Sequence, residues 1–295
     1  MEAVEWIAVD WGTTHLRAWA MSGRAVLAEA CSAKGMGALR PDDFEPALRE
    51  LIAPWLGEAP VRILACGMVG ARQGWVEAPY RAVPCAPVEA GQICTVPARD
   101  PRLRVEIVPG LSQADPADVM RGEETQIAGF LAAEPAFAGA AILPGTHSKW
   151  VHLSGGQVQG FHTAMTGELF ALLAQQSVLR HSVGAEGFDA AAFEAGVAAG
   201  LEGKALAQLF AIRASGLLAG TAPEASRARL SGLLIGAEIG AFGAGVSEAV
   251  VIGGAGLSAH YLRALALAGC NARALDGADL AREGLWALYE GAKHG

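Results

Sequence analysis

Residues 4–21 read VEWIAVDWGTTHLRAWAM. The apolar run Val4 to Val9 predicts a buried strand that ends in Asp10-Trp11-Gly12. Thr14 to Met21 alternates well enough to be a second strand, so DWGTT becomes a hairpin loop between them. A third strand is expected over Ala25 to Ala30. The pattern returns over residues 140–163. There AAILPG predicts a buried strand closed by a glycine turn, Ser148 to Leu153 a second strand, and Gly155-Gly156 a turn into Val158 to Thr163. A glycine-turned hairpin unit thus occurs twice, each time followed by mixed α/β sequence and without a short-period repeat.

Between the two hairpin units the pattern predicts a helix over Asp42 to Leu51, capped by Asp42 or Asp43. A short strand follows over Arg62 to Cys66. Proline-rich sequence from Pro79 to Pro109 reads as short strands and loops, and Pro116 to Phe130 as a helical region containing GEETQ. Past the second hairpin, helices are expected over Glu168–Leu179, Ala190–Leu201, Ala205–Leu218, Ala225–Phe242, Ser258–Leu267 and Asp279–Glu290, with a strand at Ala249–Ile252. The domain boundary is expected between Asp115 and Gly139 and is drawn after residue 125, giving domains 1–125 and 126–295. No low-complexity linker separates them, which predicts close packing around a cleft.

Composition excludes several classes. The 295 residues are 52% hydrophobic and carry a formal net charge of −8. A large core is affordable, and without a Lys/Arg cluster nucleic acid is not an expected partner. The five cysteines, Cys31, Cys66, Cys85, Cys94 and Cys270, form no CxxC pair and are odd in number. They read as reduced thiols rather than a disulfide framework or zinc site. The acidic start MEAVEWIAVDWG lacks a basic, then apolar, leader, and no run has the length of a membrane span. The expected location is the cytoplasm, with no membrane partner.

Three glycine turns stand at strand ends: Asp10-Trp11-Gly12-Thr13-Thr14, Gly145-Thr146-His147-Ser148-Lys149, and Gly253-Gly254-Ala255-Gly256. Nucleotide phosphates need backbone N–H groups unobstructed by a Cβ, and hydroxyls add donors. An acid ending the preceding strand, here Asp10, can hold Mg²⁺ through water. No G-x-x-x-x-G-K-[ST] is present, which removes the Walker loop. Gly254-Ala255-Gly256-Leu257-Ser258-Ala259 matches a dinucleotide fingerprint, with Asp276 following at the required spacing of about 20 residues. Too little chain follows it for a dinucleotide domain, and the other two turns stay unexplained.

The order of the three turns resembles the actin, hexokinase and Hsp70 ATPase superfamily. IAVDWGTTHLRAW is similar to its phosphate-1 hairpin, LPGTHSKWV to its phosphate-2 hairpin and VIGGAGLS to its adenosine turn. Within it, DWGTTHLRAW, GMVGARQGWVEAPY, MRGEETQIAGF, LPGTHSKWV and FHTAMTGELFALL resemble segments of the 2-dehydro-3-deoxygalactonokinase family, over about residues 6 to 258. The resemblance implies two similar ribonuclease-H-like domains of α/β class with an active-site cleft between them. It also implies ATP and Mg²⁺ as cofactors, and transfer to the 6-hydroxyl of 2-dehydro-3-deoxy-D-galactonate. Many superfamily members carry an acid just before the phosphate-2 glycine; here Pro144 stands there. Asp10 is the expected metal ligand, Gly12, Thr13, Thr14, Gly145, Thr146, His147 and Ser148 the expected phosphate site, and Gly253, Gly254 and Gly256 the adenosine turn. Glu123 in GEETQ resembles the base of a Gly-Asp-Gln-Gln segment in related carbohydrate kinases, with Glu124 as its substitute and Asp115 and Asp118 as further candidates.

The substrate carboxylate needs a cation, best an Arg with a bidentate fork. Arg72, followed by Gln73, lies in a loop after a strand, where binding groups concentrate. Arg17 and Lys149 lie on the hairpins, beside His15 and His147. Thr166 belongs to T-x-x-T-G-E, read either as substrate-binding or as a helix cap. Trp11, Trp19, Trp75 and Trp150 read as packing residues. A homodimer is the assembly considered. The rival classes are a phosphatase of the same superfamily and a non-catalytic ATP-binding regulator.

Overall fold

The computed structural model describes residues 3–292. The chain divides into two compact units. One comprises residues up to Ala138, Leu153–Gly160 and the stretch from Gly277 on; the other comprises Gly139–His152 and Phe161–Asp276. This division differs from the cut after residue 125, because helix 123–133 and the last helix both belong with the first unit.

The first unit begins with β1 (Trp6–Trp11), β2 (Leu16–Ser22) and β3 (Ala25–Ser32), then α1 (Phe44–Ile52) and β4 (Val61–Gly67). Next come β5 (Tyr80–Ala82), β6 (Cys94–Thr95), β7 (Leu103–Ile107), β8 (Gly110–Ala114), β9 (Ala117–Met120) and α2 (Glu123–Ala133). The main sheet has the order β3-β2-β1-β4-β7-β6, and β5-β8-β9 form a second, three-stranded sheet. β1 pairs antiparallel with β2 and parallel with β4.

β1 is buried on both faces, as its nearly unbroken apolar run requires. Ile7, Val9 and Trp11 pack with Phe44, Leu48 and Ile52. Trp6 and Ala8 face the opposite cluster of Leu285, Leu288 and Tyr289 from the last helix.

The second unit holds β10 (Gly139–Leu143), β11 (Ser148–Ser154) and β12 (Gln157–Ala164) apart from their hairpin tip Leu153–Gly160, then α3 (Thr166–Gln176), α4 (Ala190–Leu201), α5 (Ala205–Ala219) and α6 (Pro223–Phe242). β13 (Glu248–Ile252), α7 (Ala255–Leu267) and β14 (Asn271–Leu275) follow, and α8 (Gly277–Gly291) ends the chain. Its sheet runs β12-β11-β10-β13-β14, the same sequence of hairpin strands and parallel partners as β3-β2-β1-β4-β7. The repeated hairpin in the sequence is therefore a repeated sheet topology. α4 and α6 cross so closely that a Cβ on Gly200 would lie 2.5 Å from the Leu233 carbonyl oxygen and 2.6 Å from Ala237 N.

One expected helix is shorter than the sequence pattern suggests. Ala117–Met120 is a strand paired antiparallel with Leu111–Ala114, and α2 starts only at Glu123. Hairpin pairing with the strand just before it overrides the helical pattern, and Gly122 at φ 104 breaks the chain direction before the helix. β14 and the β8–β9 hairpin were not expected individually.

Gly67, at the end of β4, adopts φ 88, and a Cβ there would lie 2.7 Å from the Trp11 carbonyl oxygen. A Gly67→Ala variant is expected to lose about 2 kcal/mol or more of stability, from the left-handed backbone and the forced contact. Urea unfolding followed by tryptophan fluorescence measures this; an unchanged midpoint would remove Gly67 from the determinants of the fold.

Candidate active site

In the first unit the site is built on the ends of β1 and β4. Asp10 sits opposite Arg17 in the β1–β2 register. Burial pushes the Asp10 carboxyl up from its ordinary value, and the Arg17 guanidinium opposes that shift. The turn beyond is closed by Gly12 N–H donating to the His15 carbonyl at 2.9 Å. It leaves Thr13, Thr14 and His15 exposed. Thr14 Oγ1 and His15 Nδ1 lie 3.0 Å apart.

A short helical turn at Met36–Ala38 braces this loop: Met36 N–H donates to the Gly12 carbonyl at 3.0 Å and Gly37 N–H to the Thr13 carbonyl at 2.9 Å. Gly35 is required, since its Cβ would lie 2.5 Å from the Thr13 carbonyl carbon.

After β4, the loop carrying Arg72 and Gln73 is held by Trp75 N–H to the Val69 carbonyl (2.8 Å) and Ala78 N–H to the Gly70 carbonyl (3.0 Å). Both Arg72 and Gln73 point their surface to solvent. Buried Arg121 anchors the far side of the loop, donating Nη2–H to the Ala78 carbonyl at 2.7 Å with its guanidinium 4.4 Å from the Tyr80 ring centroid.

The acidic pair opens α2, where the helix dipole favours negative charge. Glu123 accepts from Arg121 N–H at 3.0 Å, and Glu124 accepts from Gly122 N–H at 2.6 Å and from Thr125 Oγ1 at 2.9 Å. The two acids then diverge. Glu124 has no exposed surface, whereas Glu123 keeps some. Burial, and then the Glu123 charge, push the Glu124 carboxyl up to about 8. The buried Cys66 thiol lies 4.0 Å from Asp10 Oδ1, and burial together with Asp10 and Glu124 pushes it well up. Cys66 is thus a packing thiol, and Glu124, the expected substitute base, lies buried beside it. Asp115 lies exposed at the β8–β9 turn, with Asp118 on β9, neither on α2.

In the second unit the turn Gly145–Ser148 is clamped onto the first turn of α3. Glu168 N–H donates to the Thr146 carbonyl at 3.0 Å, and His147 Nε2 lies 2.5 Å from Glu168 Oε2. A Cβ on Gly167 would meet Thr146 Cα at 2.9 Å, so only glycine allows the approach. Ser148 has no exposed surface, and its hydroxyl lies 2.8 Å from Tyr261 Oη. The side chain of Ser148, an expected phosphate contact, therefore supports the turn from within.

Thr166 is likewise no cap: it is the first residue of α3 itself, buried, and its hydroxyl donates to Glu238. Lys149 is also buried, on β11. The Gly253 N–H is taken by the Leu275 carbonyl at 3.0 Å, while Gly254 and Gly256 are exposed at the start of α7.

A cavity of about 430 Å³ opens within this unit. Gly145, Thr146, Thr166 and Gly167 line it, together with Phe188, Arg227, Ser231, Leu257, His260 and Tyr261. Phe188 and His260 stack at 4.8 Å with ring planes 14° apart. Burial, and then the Arg227 charge, hold the His260 imidazole below its usual value. None of Phe188, Arg227 or His260 was picked out from the sequence; they come from separated segments with no shared local motif.

The sequence profile of the 2-keto-3-deoxy-galactonokinase family matches residues 10–288. The chain belongs to that family. A protein named as a probable 2-dehydro-3-deoxygalactonokinase from Rhizobium meliloti (strain 1021) is 45% identical over 290 residues, covering 94% of each chain. The 2-dehydro-3-deoxygalactonokinase of Escherichia coli (strain K12) is 37% identical, covering 92% of this chain and 93% of that one. A crystal structure from Sinorhizobium meliloti, provisionally named for the same kinase, superposes with a TM-score of 0.91 at 42% identity, covering 97% of this chain and 98% of that one. The activator of 2-hydroxyisocaproyl-CoA dehydratase from Clostridium difficile, solved with bound ADPNP, shares the fold at a TM-score of 0.54 and 12% identity. This member of the 2-keto-3-deoxy-galactonokinase family is thus a kinase with the actin-like ATPase fold. Among its described residues no helix is long and apolar enough to cross a membrane.

Glu124 gives the family member a pH signature. Its folded-state carboxyl sits at about 8, above the value of about 4.3 for a free glutamate. The folded chain then binds more protons than the unfolded one between those values, so this contribution to stability is full below the lower value and is lost as pH rises through the upper. Glu124→Gln is expected to flatten the fall in melting temperature between pH 5 and 8 (about the interval of the two values). An identical slope in variant and wild type would show that Glu124 ionises normally.

Proposed function

We propose that the chain transfers the γ-phosphoryl group of ATP to the 6-hydroxyl of 2-dehydro-3-deoxy-D-galactonate, giving the 6-phosphate. The observation that carries the nucleotide half of this reading is the cavity joining the Gly145–Thr146 turn to the start of α7. A flat, neutral Phe188–His260 pair beside Leu257 offers a base-stacking wall, and Arg227 a cation. Gly145, Thr146 and His147 serve the phosphates there, with Gly253, Gly254 and Gly256 shaping the adenosine side. In the first unit the braced turn of Gly12, Thr13 and Thr14 serves phosphate contacts.

Glu123 takes the hydroxyl proton. It is the acid of the GEE pair that keeps exposed surface, and a base must come within hydrogen-bond reach of its substrate. His15, Arg17, Arg72, Gln73 and Lys149 are the candidates for the sugar acid, with exposed Arg72 the first choice for its carboxylate. Thr166 acts through its neighbours rather than by direct contact.

Asp10 would hold Mg²⁺. A single acid at a strand end suits an ion carried mostly by water and phosphate oxygens, and among the described residues no group of three His, Cys, Asp or Glu forms a protein cage. Bound there, the ion would offset charge on the phosphate oxygens. Placement in the cytoplasm and a homodimeric assembly accompany the proposal.

Coupled ADP-release kinetics test it, with 2-dehydro-3-deoxygalactonate, its gluconate epimer and a control without sugar acid. Turnover that requires the galactonate acid is expected; release without any sugar acid would replace the kinase reading with a hydrolase. In the same assay Glu123→Gln and Asp10→Asn are each expected to cut turnover by about 10²-fold or more with circular dichroism unchanged. Near-normal turnover in either variant would take that residue out of the mechanism.

A further inference from the structure

Glu238 lies on α6, is 4% exposed, and stands alone as an acid in the apolar stretch LLIGAEIGAF. A buried charge is tolerated only when fully paired. Three donors from three different elements meet it. Trp150 Nε1–H of β11 donates to Oε1 at 2.7 Å, and Tyr261 Oη–H of α7 donates to Oε2 at 2.7 Å. The Thr166 hydroxyl of α3 donates to Oε2 as well. Ser148, the last residue of the phosphate-2 turn, joins through Tyr261 Oη. Thr166 and Tyr261 both line the cavity, and Arg227, Ser231 and Ile235 present the face of α6 that leads down to Glu238.

We infer that Glu238 is a positioning residue for nucleotide binding: its carboxylate locks the Gly145–Ser148 turn, the first turn of α3 and the start of α7 into one arrangement around the cavity. The inference rests on the placement of the nucleotide in that cavity. A carboxylate accepts from all three donors at once, and the indole N–H can only donate. A leucine at position 238 accepts from none of the three, whereas an amide keeps Trp150 on its oxygen and donates its NH₂ to the two hydroxyls, which accept as readily as they donate. A residue that merely fills the core would lower stability without favouring one substrate over the other.

The test is ADP affinity by titration calorimetry, with KM for ATP and for the sugar acid measured separately. Glu238→Leu is expected to weaken ADP binding and raise the ATP KM about tenfold, with the sugar-acid KM within about twofold of wild type. An ADP affinity within about twofold, with only the melting temperature lowered, overturns the inference, as does a parallel rise in both KM values. If Glu238→Leu does not fold, Tyr261→Phe and Thr166→Val each delete one donor while keeping shape, and are expected to weaken ADP binding by smaller factors. Wild-type affinity in both overturns it equally. Ser231→Arg fills the cavity and separates the two levels. Loss of ADP there alongside retention in Glu238→Leu overturns the positioning role alone. Retention in Ser231→Arg overturns the nucleotide placement beneath it.

Discussion

Two glycines meeting back to back set the chemistry of the first unit. Gly67 ends β4 with its Cα against the Trp11 carbonyl, and a Cβ on Gly122 would lie 3.2 Å from Gly67 Cα. Both hold positive φ, of 88 and 104. That contact brings the start of α2 onto the ends of β1 and β4, the place where Asp10 and Cys66 already lie. Without it the GEE pair would not share an environment with the strand-end acid, and Glu124 would not be driven to hold its proton. Backbone proximity here decides a protonation state, because desolvation by the packed strands is the largest cause of that shift.

The second unit reaches a comparable rigidity by a different route. There the turn after β10 is secured through side chains: Ser148 to Tyr261, Tyr261 and Thr166 to Glu238, Trp150 to Glu238. Burial pushes the Glu238 carboxyl up, while its donors pull against that shift. A network of this kind is favourable only when every member is satisfied, so it ties the positions of three elements to one another. The same sheet topology thus carries a backbone lock in one unit and a polar lock in the other.

Much of this was legible in the sequence. The two hairpins are spelled by continuous apolar runs ending in glycine turns, a local signal that tertiary context reinforces. α4 is read to the residue because its alanine-rich pattern has no competing pairing. The stretch 116–130 misleads for the opposite reason. Its first residues satisfy their backbone by pairing with Leu111–Ala114, and no helical period records that choice. Glu123 was legible by position, yet its separation from Glu124 was not, since one step along a helix turns a side chain by about 100° and here divides solvent from core.

The cavity shows where local reading ends. Phe188, Arg227 and His260 stand tens of residues apart and have no spacing in common. Glu238 did leave a trace: a lone acid inside LLIGAEIGAF, on the buried face of its helix. Such an acid must find donors from outside its own helix, because its neighbours one turn away, Leu234, Ile235 and Phe242, bring no polar side-chain group. The sequence therefore announces that partners exist without saying which. The fold supplies Thr166, Trp150 and Tyr261, and with them the link between a buried acid and the Gly145–Ser148 turn.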